Sequence, residues 1–212
     1  MKKLAIIGAS ELGCLIAHHA IADGHYSVVG FYDDHATKSK YFDDIPVIGK
    51  TEHVHADYKA GRFDCMMIGI GYHRMDIRKK LFDSYKGTIP FGNVIHSKSF
   101  VDKTCVVGEG VFVLPGCTVD FMAEIGDNVT LQVGCTIAHH TKLGAHTFLG
   151  PGVKMAGLIE VKECCFLGLA STIKDCLVIG ENAVIGAGAV VIENVKENTV
   201  SVGVPARVVK NI

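Results

Sequence analysis

Nothing in this chain of 212 residues approaches the run of about 18 apolar residues that a membrane-spanning helix needs. No block of basic residues interrupts a near-neutral balance of 21 Lys and Arg against 22 Asp and Glu. The first absence excludes an integral-membrane role by helices. The second leaves nothing to support a nucleic-acid surface or another polyanion as partner, although a charged cofactor can still be held locally. No CxxC pair occurs among the eight cysteines, so nothing argues for structural zinc. The opening MKKLAIIGAS has only four apolar residues between its lysines and Gly8, too few for the apolar region of a secretion signal. A cytoplasmic protein is expected, with cysteines serving as small buried side chains rather than disulfides.

What is present, 49% hydrophobic residues and 24 glycines, is enough core for one large domain or two small ones, and it falls into two grammars. Residues 1–94 alternate strand-like and helix-like runs. LAII (4–7), YSVVGFY (26–32), DCMMIGIG (64–71) and IPFGNVI (89–95) read as strands, and Glu11–Ile21 and His73–Tyr85 as helices. That order predicts a parallel sheet with helices on its faces, a Rossmann-like α/β domain. From Ile95 the period becomes six. Every sixth residue from Ile95 to Val191 is aliphatic or Met, seventeen in succession. With such residues at roughly a third of positions, chance gives that run on the order of once in 10⁸, so residues 95–212 are expected to form a solenoid.

Numbering each hexad from its aliphatic residue, position five is small or β-branched sixteen times in seventeen, including Cys105, Cys117, Cys135 and Cys165, as a narrow interior demands. Position four is Gly or Asn eight times, Asn194 among them, the residues that tolerate a left-handed corner. IAHHTKLGAHTF (137–148) holds three histidines. His140 and His146 fall on position four and suit a corner. His139 falls on position three, where no backbone demand explains it. Residues stacked eighteen apart from it are Phe121 and Gly157, and a glycine there leaves room for a ligand and offers a backbone N–H to a developing oxyanion. A neutral imidazole can take a proton from an attacking amine or hydroxyl.

At the other end, GASELG (8–13) follows a strand and opens a helix, where backbone N–H groups meet phosphate. Asp33, twenty residues after Gly13, sits where ribose hydroxyls are read. The plainer alternative is a helix cap at Ser10 and an acidic turn at FYDD. The domain is short for a dinucleotide, so a mononucleotide or nucleotide sugar is the expected ligand.

LGPGVK, LGLAST and IGAGAV resemble the hexapeptide-repeat acyltransferases, which implies a left-handed parallel β-helix with three hexads per turn and no register break through residue 196. With GAS-x-x-G, FYDD, IGIGYHRMDIRKK, IAHH and GVPAR, nearly the whole chain resembles the bacterial sugar acyltransferases that include UDP-4-amino-sugar N-acetyltransferases and sialic acid O-acetyltransferases. The resemblance implies His139 as catalytic base and Gly157 as the amide facing the thioester oxygen. It places Gly8, Ser10, Asp33, Asp34 and Gly71 around the nucleotide, with Glu11 and Leu12 where relatives often carry glycine and histidine. Leu169 and Ala187 fall along the acetyl-CoA groove. Phe148 aligns with a histidine that touches acetyl-CoA, and His146 sits two residues before it. Arg207 and Lys210 are candidates for CoA phosphates. The residue after the base is commonly glutamate; here it is His140, with Asp120 the candidate carboxylate in its place.

The expected activity is direct acetyl transfer from acetyl-CoA to a UDP- or dTDP-linked 4-amino-4,6-dideoxyhexose, in a homotrimer with the cofactor between coils. Cys164 and Cys165 are read as structural rather than nucleophilic. The alternatives are an O-acetyltransferase of sialic acid or another sugar, a zinc hydratase of the gamma-class carbonic anhydrase type, and a catalytically silent nucleotide-binding scaffold. Zinc is disfavoured. Histidine spacings of one and six do not match the required set, His96 lies coils away, and neighbours at a corner should diverge.

Overall fold

In a computed structural model that describes all 212 residues, the chain divides into two compact units, Met1–Val94 and Ile95–Ile212. The first unit runs β1 (Lys3–Ile7), α1 (Glu11–Ala22), β2 (Ser27–Tyr32), β3 (Val47–Gly49), α2 (Val54–Lys59), β4 (Cys65–Ile68) and α3 (Met75–Tyr85). Its sheet has the order β3-β2-β1-β4, with every neighbouring pair parallel. Leu4, Ala5, Ile6 and Ile7 are all buried, as a central parallel strand covered on both faces requires.

Two strands and the short helix α2 depart from the sequence reading. IPFGNVI is not a strand of this sheet: Phe91 makes a single bridge to Met66, and the strand Val94–Ile95 joins a sheet of the coil. Pro90 lacks an N–H and cannot extend a ladder on both sides. Strand β3 is missing from that reading, because three residues are too few for an alternation to show.

The second unit is a left-handed parallel β-helix of two-residue strands stacked into three sheets. Partners are eighteen residues apart, as in Thr118↔Thr136↔Lys154 and Thr130↔Phe148↔Phe166. From Val113 to Val191 every position-one residue is buried, and with Cys117, Cys135, Cys165 and the other position-five residues they form one continuous core. Each fully buried aliphatic side chain contributes about 1.5–3 kcal/mol, so the hexad is both the pattern and the cohesion of this unit. All fourteen position-four residues from Gly110 to Gly188 have left-handed φ, His140 (+58°) and His146 (+64°) among them.

The register does break, after Val191. Val184 pairs with Val200 and Ile179 with Val195, a stack of sixteen. Glu197 stands where the next interior aliphatic residue would be, and a charged side chain cannot fill that place unpaired. Asn194 consequently is no left-handed corner; its Oδ1 accepts from the Val178 N–H at 2.8 Å. Asn198 (φ +53°) takes the corner and accepts from Asn182 Nδ2 at 3.0 Å. Thr199–Val202 then turns back as an antiparallel pair with Arg207–Asn211.

Candidate active site

His139 is fixed to the coil on both sides. Its carbonyl accepts from the Leu158 N–H at 3.0 Å, and the next amide, that of His140, donates to the Phe121 carbonyl at 3.0 Å. The two imidazoles do not diverge. His139 Nδ1 and His140 Nδ1 lie 3.1 Å apart with ring planes at 85°. The left-handed backbone at His140 turns its ring back along the corner, and Phe121 meets that ring edge to face at a centroid distance of 5.5 Å. A hydrogen bond of this length between two Nδ1 atoms requires one to carry hydrogen and the other a lone pair. Asp120, the candidate carboxylate, is exposed and reaches neither ring, so the partner of His139 is His140.

Gly157 is a steric requirement. A Cβ there would lie 2.5 Å from His139 Cε1 and 2.6 Å from Nε2. The space beside the glycine is therefore filled by the imidazole instead of being left for a ligand, and Gly157 is buried beneath it. Its N–H makes no hydrogen bond within the coil. No three His, Cys, Asp or Glu side chains are grouped to hold a metal ion.

The other residues assigned to acetyl-CoA separate. His146 is 2% exposed and bonds Asn128 Nδ2 through Nδ1 at 3.1 Å, while Phe148 is 4% exposed and packs on Phe166. Neither presents its side chain to a ligand: the first belongs to a buried corner ladder, the second to a covered sheet face. Leu169, 54% exposed, and Ala187 are stacked on an open corner. Arg207 is exposed on the last strand, 3.9 Å from Glu193 Oε2. Burial pushes the Cys165 thiol up to about 12, so it is no nucleophile at neutral pH.

In the α/β unit, three glycines draw the loop after β1 against β4. A Cβ on Gly13 would sit 1.8 Å from Gly8 O, and one on Gly69 2.5 Å from Gly13 Cα. Gly8 has φ +102°. Ser10 begins α1 with its hydroxyl exposed and not capping the helix, which removes the plainer reading of that residue. Gly71 lies in open space after β4. Three assigned residues have structural work in the fold. Leu12 is 7% exposed and belongs to the core. Asp33 accepts from the Ala9, His35 and Ala36 amides at 2.9 Å each; burial acts to raise its carboxyl, but those amides outweigh it and hold it below the usual carboxylate range. Asp34 caps the turn at Thr51, accepting from its N–H and hydroxyl at 2.9 Å. Glu11 is exposed and ion-paired with Lys40.

Lys40 is absent from the sequence reading, and Gly69 and Arg78 enter it only within the quoted stretches, with no task of their own. The Lys40 N–H donates to Ala9 O at 3.2 Å, tying the loop after β2 to the glycine loop. Arg78, 1% exposed, donates from Nη1 to the carbonyls of Ile68 (3.2 Å) and Ile70 (3.0 Å), holding the strand end that carries Gly71. Gly69 and Arg78 both lie in the IGIGYHRMDIRKK stretch, whose pattern does not tell what either position does.

Residues 3–85 match the PglD N-terminal domain family, and residues 122–157 match the bacterial transferase hexapeptide family of six repeats. The solved structure of PerB from Caulobacter crescentus with CoA and GDP-perosamine is similar at 26% identity, over 99% of this chain and 98% of that one, with a TM-score of 0.90. The acetyltransferase domain of PglB from Neisseria gonorrhoeae with acetyl coenzyme A is similar at 25% identity, over 98% and 99%, with a TM-score of 0.90. WeeI from Acinetobacter baumannii shares the fold at 23% identity, over 99% of this chain and 100% of that one, with a TM-score of 0.82.

Proposed function

We propose that this chain, which belongs to the hexapeptide-repeat sugar acetyltransferases, moves the acetyl group of acetyl-CoA to the amine of a nucleotide-linked 4-amino-4,6-dideoxyhexose, with His139 as general base. The observation that carries the reading is the His139 imidazole: exposed, seated on Gly157, bonded through Nδ1 and free of any protein partner at Nε2. That is the arrangement a base needs to meet an amine from solvent. The CoA- and amino-sugar-bound relatives supply the substrate class.

In the proposed step the amine nitrogen attacks the thioester carbonyl carbon, and His139 Nε2 takes the proton the nitrogen sheds. The C–S bond breaks, CoA leaves as thiolate, and it recovers that proton from the imidazolium. The Gly157 N–H, unbonded in the coil, is assigned to the tetrahedral oxyanion. The nucleotide is assigned to Gly8, Ser10 and Gly71 of the first unit, and Leu169 and Ala187 to the CoA chain. The active species is a trimer, to be checked by light scattering.

Release of CoA thiol, followed with UDP-, dTDP- and GDP-linked amino sugars, tests the reading. His139→Ala is expected to lose on the order of 10²–10⁴ in kcat, the usual contribution of a general base. Full activity in that variant ends the assignment of His139. Replacing the amine by hydroxyl on an otherwise identical sugar should abolish turnover; retained turnover identifies an O-acetyltransferase.

A further inference from the structure

The histidine next to the base is bonded to it, and its contacts assign it a task. We propose that His140 is the positioning residue of the site: its Nδ1 lone pair accepts the Nδ1–H of His139, and this single bond fixes complementary tautomers in the two rings. The inference rests on His139 acting as the base.

Only one of the two possible tautomer pairs is useful. If His140 donates, His139 Nδ1 must carry the lone pair, and its remaining proton sits on Nε2, the one nitrogen no protein group engages; the base is then already protonated where the amine arrives. If His139 donates, its Nε2 carries the lone pair and His140 bears its proton on Nε2. When His139 takes the amine proton, its Nδ1–H becomes the donor of a charge-assisted bond to His140 Nδ1, which strengthens as the imidazolium forms. Glutamate in that place would be a charged acceptor; His140 is a neutral one, so it steers the proton while stabilising the imidazolium less.

Three features hold His140 to this task. Its backbone is locked in the left-handed corner at φ +58°. Its N–H is bonded to the Phe121 carbonyl, and its ring packs edge to face on the Phe121 side chain. Phe121 is the residue stacked one coil before His139, so one phenyl ring supports the partner of the base from the neighbouring turn. No carboxylate competes for the same nitrogen, since His139 Nδ1 has His140 as its hydrogen-bond partner.

The corner offers a clean pair of variants, because glycine and asparagine already occupy positive-φ corners elsewhere in this coil. His140→Gly keeps the backbone and removes the acceptor. His140→Asn keeps the backbone and restores an acceptor oxygen near the place of Nδ1. With acetyl-CoA and the best amino sugar of the panel, His140→Gly should lower kcat at least tenfold with KM for acetyl-CoA unchanged, and His140→Asn should restore most of the loss. His140→Glu should raise kcat above wild type. Wild-type kcat in His140→Gly, or equal loss in the Gly and Asn variants, overturns the proposal. Loss in His139→Ala combined with wild-type kcat in His140→Gly leaves the base standing and removes only the role of its neighbour. Two-bond ¹H–¹⁵N correlation spectra of the full protein, assigned through the His139→Ala and His140→Asn variants, give a readout independent of turnover. The expected pattern is His139 protonated on Nδ1 and His140 on Nε2; the reverse pattern overturns the assignment.

Discussion

In the coil His139 stands out because every other constraint on its neighbours is accounted for by register, whereas in the α/β unit Asp33 is one polar loop residue among several. A repeat supplies its own background. Seventeen hexads state what position one, position four and position five must be, so a residue that meets none of those needs is visible as a remainder. The α/β unit states its needs once each, and a carboxylate reserved for three backbone amides has the same appearance in sequence as one reserved for a ribose.

The largest test of this contrast is Gly13→Ala. Its Cβ would meet backbone oxygen of Gly8 at 1.8 Å, a contact no rotamer change relieves. The expected cost is about 4 kcal/mol or more, at the extreme of single substitutions. Hydrogen exchange should show the amides of β1 and β2 opening while the coil's ladder amides keep their protection. Ordinary stability in the variant would mean that the close approach of α1 to the loop after β1 is dispensable.

Next in size is Gly157→Ala, which acts on the coil's remainder rather than on its core. Gly157 has an ordinary φ, so the substitution leaves the corner intact and displaces only the His139 ring, which lies within 2.6 Å of the added carbon. A misplacement of this kind costs on the order of 10² in rate. Steady-state kinetics should show that loss with the melting temperature nearly unchanged, separating a steric role of Gly157 from a stabilising one.

The position of each was legible to different degrees. The solenoid, its interior cysteines and its left-handed corners follow from the hexad, because burial and φ there depend on local sequence repeated many times. The pairing of His139 with His140 did not follow, since it depends on how a positive φ turns one ring toward another. Nor did the two-residue contraction after Val191, which Glu197 brings about once the aliphatic series ends. The resemblance sets Phe148, with His146 two residues before it, near acetyl-CoA, and the burial of both side chains is a matter of packing that a motif does not report. Arg78 lies in the IGIGYHRMDIRKK stretch, but its task is not legible there, since burial of a guanidinium against two carbonyls is a property of the assembled loop.

Asp33→Asn is expected to have a smaller effect, about 2 kcal/mol, from losing charge-assisted hydrogen bonds and turning an amide N–H₂ toward a backbone donor. The sign with pH follows from the lowered carboxyl. Its stabilisation is complete above the ordinary carboxylate value of about 4 and is lost as pH falls through the lower folded value. Urea titrations of wild type should therefore show an acid-side decline in stability that is shallower in Asp33→Asn. An unchanged acid limb would return Asp33 to the nucleotide.

The smallest effect belongs to the coil's corners. Gly134, Gly152, Ala170 and Gly188 stack at one of them, all with positive φ, and Ala170 at +54° is the one member with a Cβ. A left-handed backbone costs an L-residue about 1–2 kcal/mol relative to glycine. The extra freedom of glycine in the unfolded chain offsets about 0.4–1 kcal/mol of that. Ala170 is exposed, so its methyl adds little packing to either side. Ala170→Gly should then stabilise the coil by about 0.5 kcal/mol, a rise in melting temperature of roughly 1–2 °C for a chain of this size. A fall instead would show that the alanine methyl, beside the exposed Leu169, is held by something other than the corner geometry.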